Sequence, residues 1–240
     1  MELAIVPCGT GNLLARNLNI PTDPGRALAA ALAAQPWRAD LALASGDGIK
    51  DTYVAAMAGA GLDAAIMAQT SRRLKNILGW PAYALPGLRH LRDHPFWTTI
   101  QLDDEPPAAR RARMVVIGNV GSLQGGIPLL PAARPDDGRL DLVLLNPRGF
   151  GGWLRALLRL LTQRPTGVRV CAPQFAAGGP IEYFRAHRID LAFEKDVPRE
   201  VDGEPVPAGR TLRVEIQPRA LLLRAPRPVP ARGTRRARDI

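Results

Sequence analysis

The chain begins with four apolar residues, Leu3 to Val6, a pattern that predicts a buried strand. A turn rich in glycine and proline follows at 7–12 and would end that strand at once. Leucines spaced along 13–18 then form one apolar stripe, which predicts a helix with Asn12 as its N-cap. This order of strand, turn and helix is typical of the first unit of an α/β domain.

Beyond this unit the pattern predicts a second helix and then a series of short strands. Asp23-Pro24 is a strong helix start, and the alanine-rich run that follows ends at Ala34, before Pro36. From Asp40 onward, short apolar or alternating runs are separated by turn residues, which favours a β-sandwich-like domain. The predicted strands cover residues 40–44, 52–57, 96–102, 113–117, 140–145, 168–174, 188–194, 211–216 and 220–223.

The segment Ser45 to Gly48 is similar to a nucleotide-binding glycine loop. A phosphate loop needs the N-terminus of a helix after it, whereas Ile49 to Val54 is rich in β-forming residues. Asp47-Gly48 between two apolar runs is instead a strong hairpin signal. The sequence therefore predicts a hairpin turn here.

Two predicted helices carry residues that could have a function. Residues 63–92 are mainly helical in pattern, and His90 and His94 could share one helix face, as metal ligands do. No Glu follows His90 and a proline follows His94, so solvated or core histidines are the favoured interpretation. The helix over 152–163 has leucines against arginines, which favours covering a sheet, with a membrane-touching face as the alternative.

The composition is that of a globular protein with a real core. At 240 residues and 46% apolar content, the chain has the length for one large domain or two small ones. No run approaches the roughly 18 apolar residues of a membrane span, and no signal-like segment opens the chain, so we expect a cytoplasmic protein. Cys8 and Cys171 are too few for a disulfide framework and are expected to be small buried residues without catalytic function.

The net charge of +10 is unevenly distributed along the chain. Between Arg224 and Ile240 there are six arginines against Asp239 alone, so half of the excess lies in a proline- and arginine-rich tail. We expect no nucleic-acid partner, because a tail of this kind is better suited to contacting anionic lipid headgroups, or to having no partner at all, than to reading bases. Peripheral attachment to the inner face of the membrane is therefore one option for the protein.

The turn formed by Gly9, Thr10, Gly11 and Asn12 is the first candidate site. Glycines allow backbone N–H groups to approach a ligand closely, and the N-terminus of the following helix adds partial positive charge. The turn therefore suits an anion such as a phosphate. An ordinary strand-to-helix turn is the alternative interpretation of the same residues.

Three further motifs follow this turn in a fixed order. They are Gly61-Leu62-Asp63-Ala64, the loop from Gly118-Asn119 through Gly125-Gly126 to Asp136-Asp137-Gly138-Arg139-Leu140-Asp141, and Val201-Asp202-Gly203-Glu204. In order and spacing, the four motifs together resemble the diacylglycerol kinase family, whose bacterial lipid kinases and sphingosine kinases share one catalytic core. The resemblance covers the chain up to about Pro226.

The resemblance implies a specific domain organisation. Residues 1–38 would belong to a partial α/β nucleotide-binding domain like that of NAD kinases, to which residues 219–226 return. Residues 39–218 would form the β-sandwich C-terminal domain, and residues 227–240 a basic disordered tail. A last strand that returns to the first domain would also supply a partner for the opening strand, whose backbone groups need one.

The resemblance also implies a metal site and a nucleotide contact. Thr10 would contact the nucleotide within the Gly-Thr-Gly-Asn turn. Asp137 would ligate a structural Mg²⁺ together with backbone carbonyls at Arg134 and Arg139, and oxygen ligands on a sharp turn suit such a hard cation. A plain hairpin turn at Asp136 to Gly138 is the alternative.

By the same resemblance, the carboxylates near the C-terminus carry the chemistry. Glu204 would accept the proton of a lipid hydroxyl as that oxygen attacks the γ-phosphoryl group of ATP, and Asp202 would assist. ATP and Mg²⁺ are the implied cofactors, and diacylglycerol or a similar lipid at a membrane surface is the implied acceptor. The alternative makes Asp202-Gly203 one more turn.

Two positions depart from the family pattern. Leu13 stands where many members have an acidic residue. The family's Gly-Gly-Asp-Gly-Thr phosphate loop would lie upstream of the opening turn, so we expect either an N-terminally truncated form or a reading frame whose start was placed too late. The alternative function is a catalytically incomplete lipid- or partner-binding remnant. The oligomeric state stays open, a homodimer included. The kinase hypothesis requires Glu204 and the turn at 9–12 to face each other across one cleft.

Overall fold

The computed structural model describes residues 1–9, 11–61, 95–123, 126–162 and 179–227. Its helices are α1 (Leu13–Asn17), α2 (Pro24–Ala33) and α3 (Gly149–Thr162). Its strands are β1 (Glu2–Ala4), β2 (Pro36–Gly46), β3 (Ile49–Val54), β4 (Met57–Gly61), β5 (Phe96–Leu102), β6 (Ala108–Ala112), β7 (Met114–Gly118), β8 (Leu140–Leu145), β9 (Ile181–Ala186), β10 (Arg188–Val201) and β11 (Glu204–Arg224).

Two long antiparallel strands, β10 and β11, organise the sheet. The hydrogen-bonded order is β3-β2-β11-β10-β4-β7-β8-β9, so strands distant in sequence become neighbours through this central pair. The first part of β10 pairs with β5, and its last three residues pair with β4. Because one strand serves two sets of partners, the sheet folds over itself and encloses a core between its layers, as the predicted β-sandwich requires.

Strand β11 also returns to the beginning of the chain. Glu2 pairs with Leu222 and Ala4 with Arg224 in parallel register, so the last strand supplies the partner of the first. The expected fold class, an α/β unit with a β-sandwich whose last strand returns to it, is confirmed. The expectation that the opening strand is buried is wrong: β1 is exposed at all three positions, because among the described residues β11 alone pairs with it.

The buried side chains form three clusters. The largest lies within the sandwich, where alternate residues of β5 such as Phe96 and Ile100 point inward while Trp97 is exposed. A second packs α3 against β7 and β8, which are therefore buried at every position. The third joins α1, α2 and the ends of β2 and β11, and here the Trp37 indole donates to the Ala225 carbonyl at 3.0 Å. The division into residues 1–38 with 219–226, and 39–218, stays a prediction.

Several predicted elements match the structure closely. Asp23 caps α2 by accepting the Arg26 N–H at 2.9 Å, β5 and β8 have the predicted bounds, and the 45–48 segment is a hairpin turn joining β2 to β3. Other boundaries differ. The strand predicted over 52–57 breaks at Ala55 and Ala56, the strands predicted at 211–216 and 220–223 are one strand with a bulge, and β6 and β9 were not predicted.

Some predictions lie outside the described residues. They are the helix over 63–92 with His90 and His94, the strand over 168–174 with Cys171, Thr10 and the tail beyond residue 227. Cys8 is described and is exposed, so the expectation of a buried cysteine is wrong at that position. None of the helices in the described part of the chain is long and apolar enough to cross a membrane.

Candidate active site

A cavity of about 270 Å³ lies between the first unit of the chain and the turn that joins β10 to β11. One wall is formed by residues 5–8 and 12–15, from the opening turn and α1. The other wall is formed by Ala55, Ala56 and Asp202. The lining is mainly apolar, and it includes the polar residues Asn12 and Asp202.

The turn before α1 is closed by the side chain of Asn12. The Gly9 N–H donates to Asn12 Oδ1 at 3.0 Å, and Asn12 Nδ2 donates to the Gly9 carbonyl at 2.7 Å. Asn12 occupies the N-cap position of α1, as predicted, but its backbone is left-handed, with φ of 47°, and its side chain makes no capping hydrogen bond to the helix. Helix α1 has only five residues, so its dipole is small. An anion at this turn would compete with Asn12 for the Gly9 N–H.

Asp202 and Gly203 form the two-residue turn of the β10–β11 hairpin. Both have positive φ, 49° and 83°, and Val201 pairs with Glu204 across the turn, so the turn interpretation of Asp202-Gly203 is correct. The Gly203 N–H also donates to Glu200 Oε2 at 2.6 Å.

The Asp202 carboxylate does more than form a turn. It accepts the N–H groups of Ala55 at 2.8 Å, Ala56 at 2.8 Å and Met57 at 2.9 Å. The Asp202 N–H in turn donates to the Met57 carbonyl at 2.8 Å. The hairpin turn is therefore fastened to the connection between β3 and β4, the same connection that lines the cavity. This attachment also explains why the strand predicted over 52–57 is broken.

Glu204 is the first residue of β11 and is exposed to solvent. It lies two residues beyond Asp202, at the turn that reaches the cavity, but it is not one of the lining residues. Of the residues predicted for the nucleotide turn and the acid pair, the structure thus brings Asn12 and Asp202 together at one cavity. The roles assigned to Gly9, Thr10, Gly11, Asn12, Asp202 and Glu204 stay predictions.

The loop from Gly118 to Arg139 is attached to α1. Asn17 Nδ2 donates to the Ser122 carbonyl at 2.8 Å, and the Ser122 N–H donates to Asn17 Oδ1 at 2.8 Å. Buried Asn119 donates to the Asp40 carbonyl at 2.9 Å, which fixes the start of this loop to β2. The third motif and the first are therefore held together through side-chain amides.

The candidate metal loop contains a charged network around Asp137. The Asp137 carboxylate pairs with the Arg185 guanidinium and accepts the Arg139 N–H at 3.2 Å. Burial raises the pKa of Asp137, against the lowering effect of the Arg185 charge. Buried Asp40 accepts the Gly138 N–H at 2.7 Å and the Arg219 N–H at 2.7 Å, and so links this turn to β11.

The donor set of this loop is compatible with a hard cation. A carboxylate offers about four lone pairs, so Asp137 can accept from Arg185 and Arg139 and still coordinate a cation with the carbonyls of Arg134 and Arg139. The described residues contain no group of three or more His, Cys, Asp or Glu side chains placed to hold a metal. A site of one carboxylate and two carbonyls does not need such a group, and the metal assignment stays a prediction.

Sequence reasoning assigned no role to three charged partners of these loops, Asp141, Arg185 and Arg199, although Asp141 is the last residue of the loop motif. Asp141 lies inside β8, where burial raises its pKa to about 7 although Arg185 is 3.4 Å away. An acid within the apolar run 140–145 was a usable signal for a buried charge. Arg199 is fully buried and donates to Asp47 Oδ1 at 2.8 Å, fixing the β2–β3 turn to β10. No local pattern indicated Arg185 or Arg199, because their partners are distant in sequence.

Comparison with known protein families agrees with this architecture. The family model described as the YegS C-terminal NAD kinase beta sandwich-like domain matches residues 56–225. The model described as the diacylglycerol kinase catalytic domain matches residues 1–44. Together the fold and these matches define a kinase with an α/β nucleotide-binding unit and a β-sandwich. The chain belongs to the diacylglycerol kinase-like family of bacterial lipid kinases, with the YegS-like members.

Individual relatives give the same result. Proteins named "Probable lipid kinase YegS-like" are 30% identical in Chromohalobacter salexigens, 31% in Stenotrophomonas maltophilia and 33% in Pseudomonas aeruginosa strain UCBPP-PA14. The matches cover 93%, 97% and 94% of this chain and 67%, 72% and 68% of those proteins. The aligned chain therefore spans roughly seven tenths of its relatives' length.

Solved structures show the same fold. A diacylglycerol kinase from Bacillus anthracis str. Sterne superposes with a TM-score of 0.63 at 19% identity, over 93% of this chain and 66% of that one. A second structure from the same strain gives a TM-score of 0.70 at 22% identity, over 93% and 68%. At these identities the likeness concerns the fold.

Proposed function

We propose that this protein is an ATP-dependent kinase that phosphorylates the hydroxyl group of diacylglycerol or a similar membrane alcohol. Membership in a lipid kinase family supports phosphoryl transfer as the reaction class. The observation that carries the proposal is the shared cavity, where Asn12 of the glycine turn and Asp202 of the acid turn line one space. A nucleotide at the first turn and an alcohol at the second would then meet there.

In this proposal Glu204 is the general base. Its exposed carboxylate accepts the proton of the lipid hydroxyl while that oxygen forms a bond to the γ-phosphorus. The bond between the γ-phosphorus and its bridging oxygen breaks, and ADP leaves with the electron pair. Mg²⁺ supplies neutralisation of the phosphate charges when it is bound with ATP.

Asp202 has a positioning role in this proposal. Both of its carboxylate oxygens accept backbone N–H groups, which leaves Glu204 as the better candidate for taking a proton. By fastening the turn to the β3–β4 connection, Asp202 fixes where Glu204 leaves the sheet. Asp137, with the carbonyls of Arg134 and Arg139, would hold a structural Mg²⁺ at the loop described above.

The test is phosphate transfer from γ-labelled ATP to a short-chain diacylglycerol by the full chain. We expect Glu204→Gln to lower kcat by roughly 10²- to 10⁴-fold, the usual contribution of a general base. Glu215→Gln is the matched control, because Glu215 is an exposed glutamate on the same strand. Unchanged turnover in Glu204→Gln would contradict the role of Glu204.

Calorimetry with ATP measures nucleotide binding separately from phosphate transfer. A folded chain that binds lipid but no ATP would favour the alternative function, a catalytically incomplete lipid- or partner-binding remnant.

A further inference from the structure

Helix α3 carries apolar residues on two opposite faces. Ala156 and Leu160 are buried in the cluster that packs α3 against the sheet. Leu154 and Leu158 are 47% and 53% exposed, and because they are four residues apart they form one ridge on the outward face. The inward face covers the sheet as the sequence predicted, so covering the sheet does not account for the outward pair.

The sequence on both sides of this ridge is strongly basic. Arg155 and Arg159 follow the two leucines and are exposed, and Arg148 is exposed just before the helix. The sequence from Leu142 to Ile181 contains no Asp or Glu. An apolar ridge flanked by arginines and free of acids is complementary to a lipid surface with negatively charged headgroups, because leucines enter the acyl boundary while guanidinium groups meet phosphates.

The position of α3 connects this ridge to the candidate active site. The cluster that buries Ala156 and Leu160 also contains Ala56 and Met57, with Leu13 and Leu14 packed against it. Leu13, Leu14 and Ala56 line the cavity described above. Helix α3 and the walls of the cavity therefore share one buried cluster. A lipid surface bound by α3 would lie against a helix that packs directly on this cluster.

We propose that the outward face of α3, made of Leu154, Leu158, Arg155 and Arg159, docks the protein on an anionic lipid bilayer. The inference rests on the proposed function, because the purpose of docking would be to deliver a lipid alcohol to the site. Binding to the bilayer is nevertheless measured without any reaction. Helix α2 offers a rival surface, because Leu28 and Leu32 are 50% and 73% exposed at the same spacing. That helix has one arginine, so it lacks the basic flank.

The experiment is co-sedimentation of the full chain with vesicles of phosphatidylglycerol and phosphatidylcholine in equal parts. We expect Leu154→Gln/Leu158→Gln to lower the partition coefficient about tenfold, since two half-exposed leucines no longer enter the bilayer. Leu28→Gln/Leu32→Gln is the matched control and should bind like the original chain. Arg155→Gln/Arg159→Gln should weaken binding and reduce its dependence on salt. Matching urea midpoints establish that each variant is folded.

Three results would overturn the proposal. They are absence of binding by the original chain, equal binding by the α3 leucine variant, and equal loss in both leucine variants. If Leu154→Gln/Leu158→Gln instead converts a dimer to a monomer in size-exclusion chromatography without affecting vesicle binding, the face is an interface with a second copy. Failure of the proposed function is distinguishable, because it appears as absent phosphate transfer to dispersed short-chain diacylglycerol whatever the vesicles show.

Discussion

At the scale of single residues, two aspartates hold β10 and β11 in place by accepting several backbone N–H groups each, and one of them, Asp202, lines the candidate site. Asp202 accepts three from the β3–β4 connection. Asp47 accepts those of Arg210 and Thr211, both at 2.8 Å, and is paired with buried Arg199. A carboxylate can serve several donors at once, and such charge-assisted bonds are stronger than neutral ones. Both aspartates therefore fix β10 and β11 relative to neighbouring turns.

Replacing Asp202 by Asn should separate its positioning role from catalysis. The amide has one acceptor oxygen for three N–H groups, so we expect a loss of about 2 kcal/mol in the free energy of unfolding. We also expect a lower kcat with unchanged ATP affinity, because the nucleotide is proposed to bind at the turn of residues 9–12, whereas Asp202 fixes the turn that carries Glu204. Urea denaturation, calorimetry and turnover measure these quantities. Asp51→Asn, at an exposed position of β3, is the control, and equal stability of the two variants would contradict the prediction.

Asp47 should make stability sensitive to acid. The Arg210 N–H, followed by the Thr211 hydroxyl, holds the pKa of Asp47 well below its ordinary value of 3.8. The unfolded chain takes up this proton first as the pH falls, so the stabilisation is complete at neutral pH and is lost progressively as the pH falls from about 4 toward the lowered pKa of the folded state. We expect Asp47→Asn to be less stable than the original chain at pH 7, and the difference in urea midpoint to shrink at pH 3. A difference independent of pH would argue against this assignment.

At the scale of elements, local patterns predicted structure where the partners are close in sequence. The Asp23 cap, the 45–48 hairpin turn and the bounds of β5 depend on neighbours within a few residues, and the structure confirms all three. The contacts of Asp202 with 55–57 span about 146 residues, and no local pattern contains them. The family motifs indicated that Asp202 and Asn12 matter, but only the folded chain brings them to one cavity.

The β10–β11 turn requires positive φ at both of its residues, and Gly203 has the larger value, 83°. Gly203→Ala should lower the free energy of unfolding by about 1 kcal/mol, because a Cβ disfavours this conformation. Gly151→Ala is the control variant, and we expect it to raise the free energy of unfolding. The added Cβ on α3 would meet nothing within 4 Å, and alanine favours helices over glycine. Thermal unfolding of both variants tests the pair, and a stabilised Gly203→Ala variant would be inconsistent with the turn described.

At the scale of the whole molecule, one strand connects the sandwich with the first unit. Strand β11 runs for 21 residues, from Glu204 at the candidate site to Arg224 beside β1. Its end contributes Leu223, 1% exposed, to the cluster that supports α1 and α2. The sandwich core is a separate cluster, so damage at the two ends of the strand should have different consequences.

Leu223→Ala should loosen the first unit more than the sandwich. Loss of this buried side chain removes packing from Leu18 and Trp37, and we expect a loss of about 3 kcal/mol in the free energy of unfolding. Hydrogen exchange followed by mass spectrometry should show faster exchange in residues 13–18, with little change in 140–145. Uniform acceleration across both segments would mean that the two clusters unfold as one unit.

The length of β11 restricts how this chain can vary between relatives. Side chains alternate between the two faces of a strand, so one inserted or deleted residue reverses the facing of every position beyond it. One residue inserted or deleted near Leu212 would either turn the buried residues of β11 toward solvent or place Glu204 on the opposite face of the sheet. In its pairing with β2, strand β11 has one irregular point, the bulge between Gln217 and Leu221, where Arg219 has a φ of 57°. Its pairing with β10 has two further register shifts, opposite residues 206–211. Natural changes in length should therefore collect at these irregular points and spare the regularly paired parts of the strand.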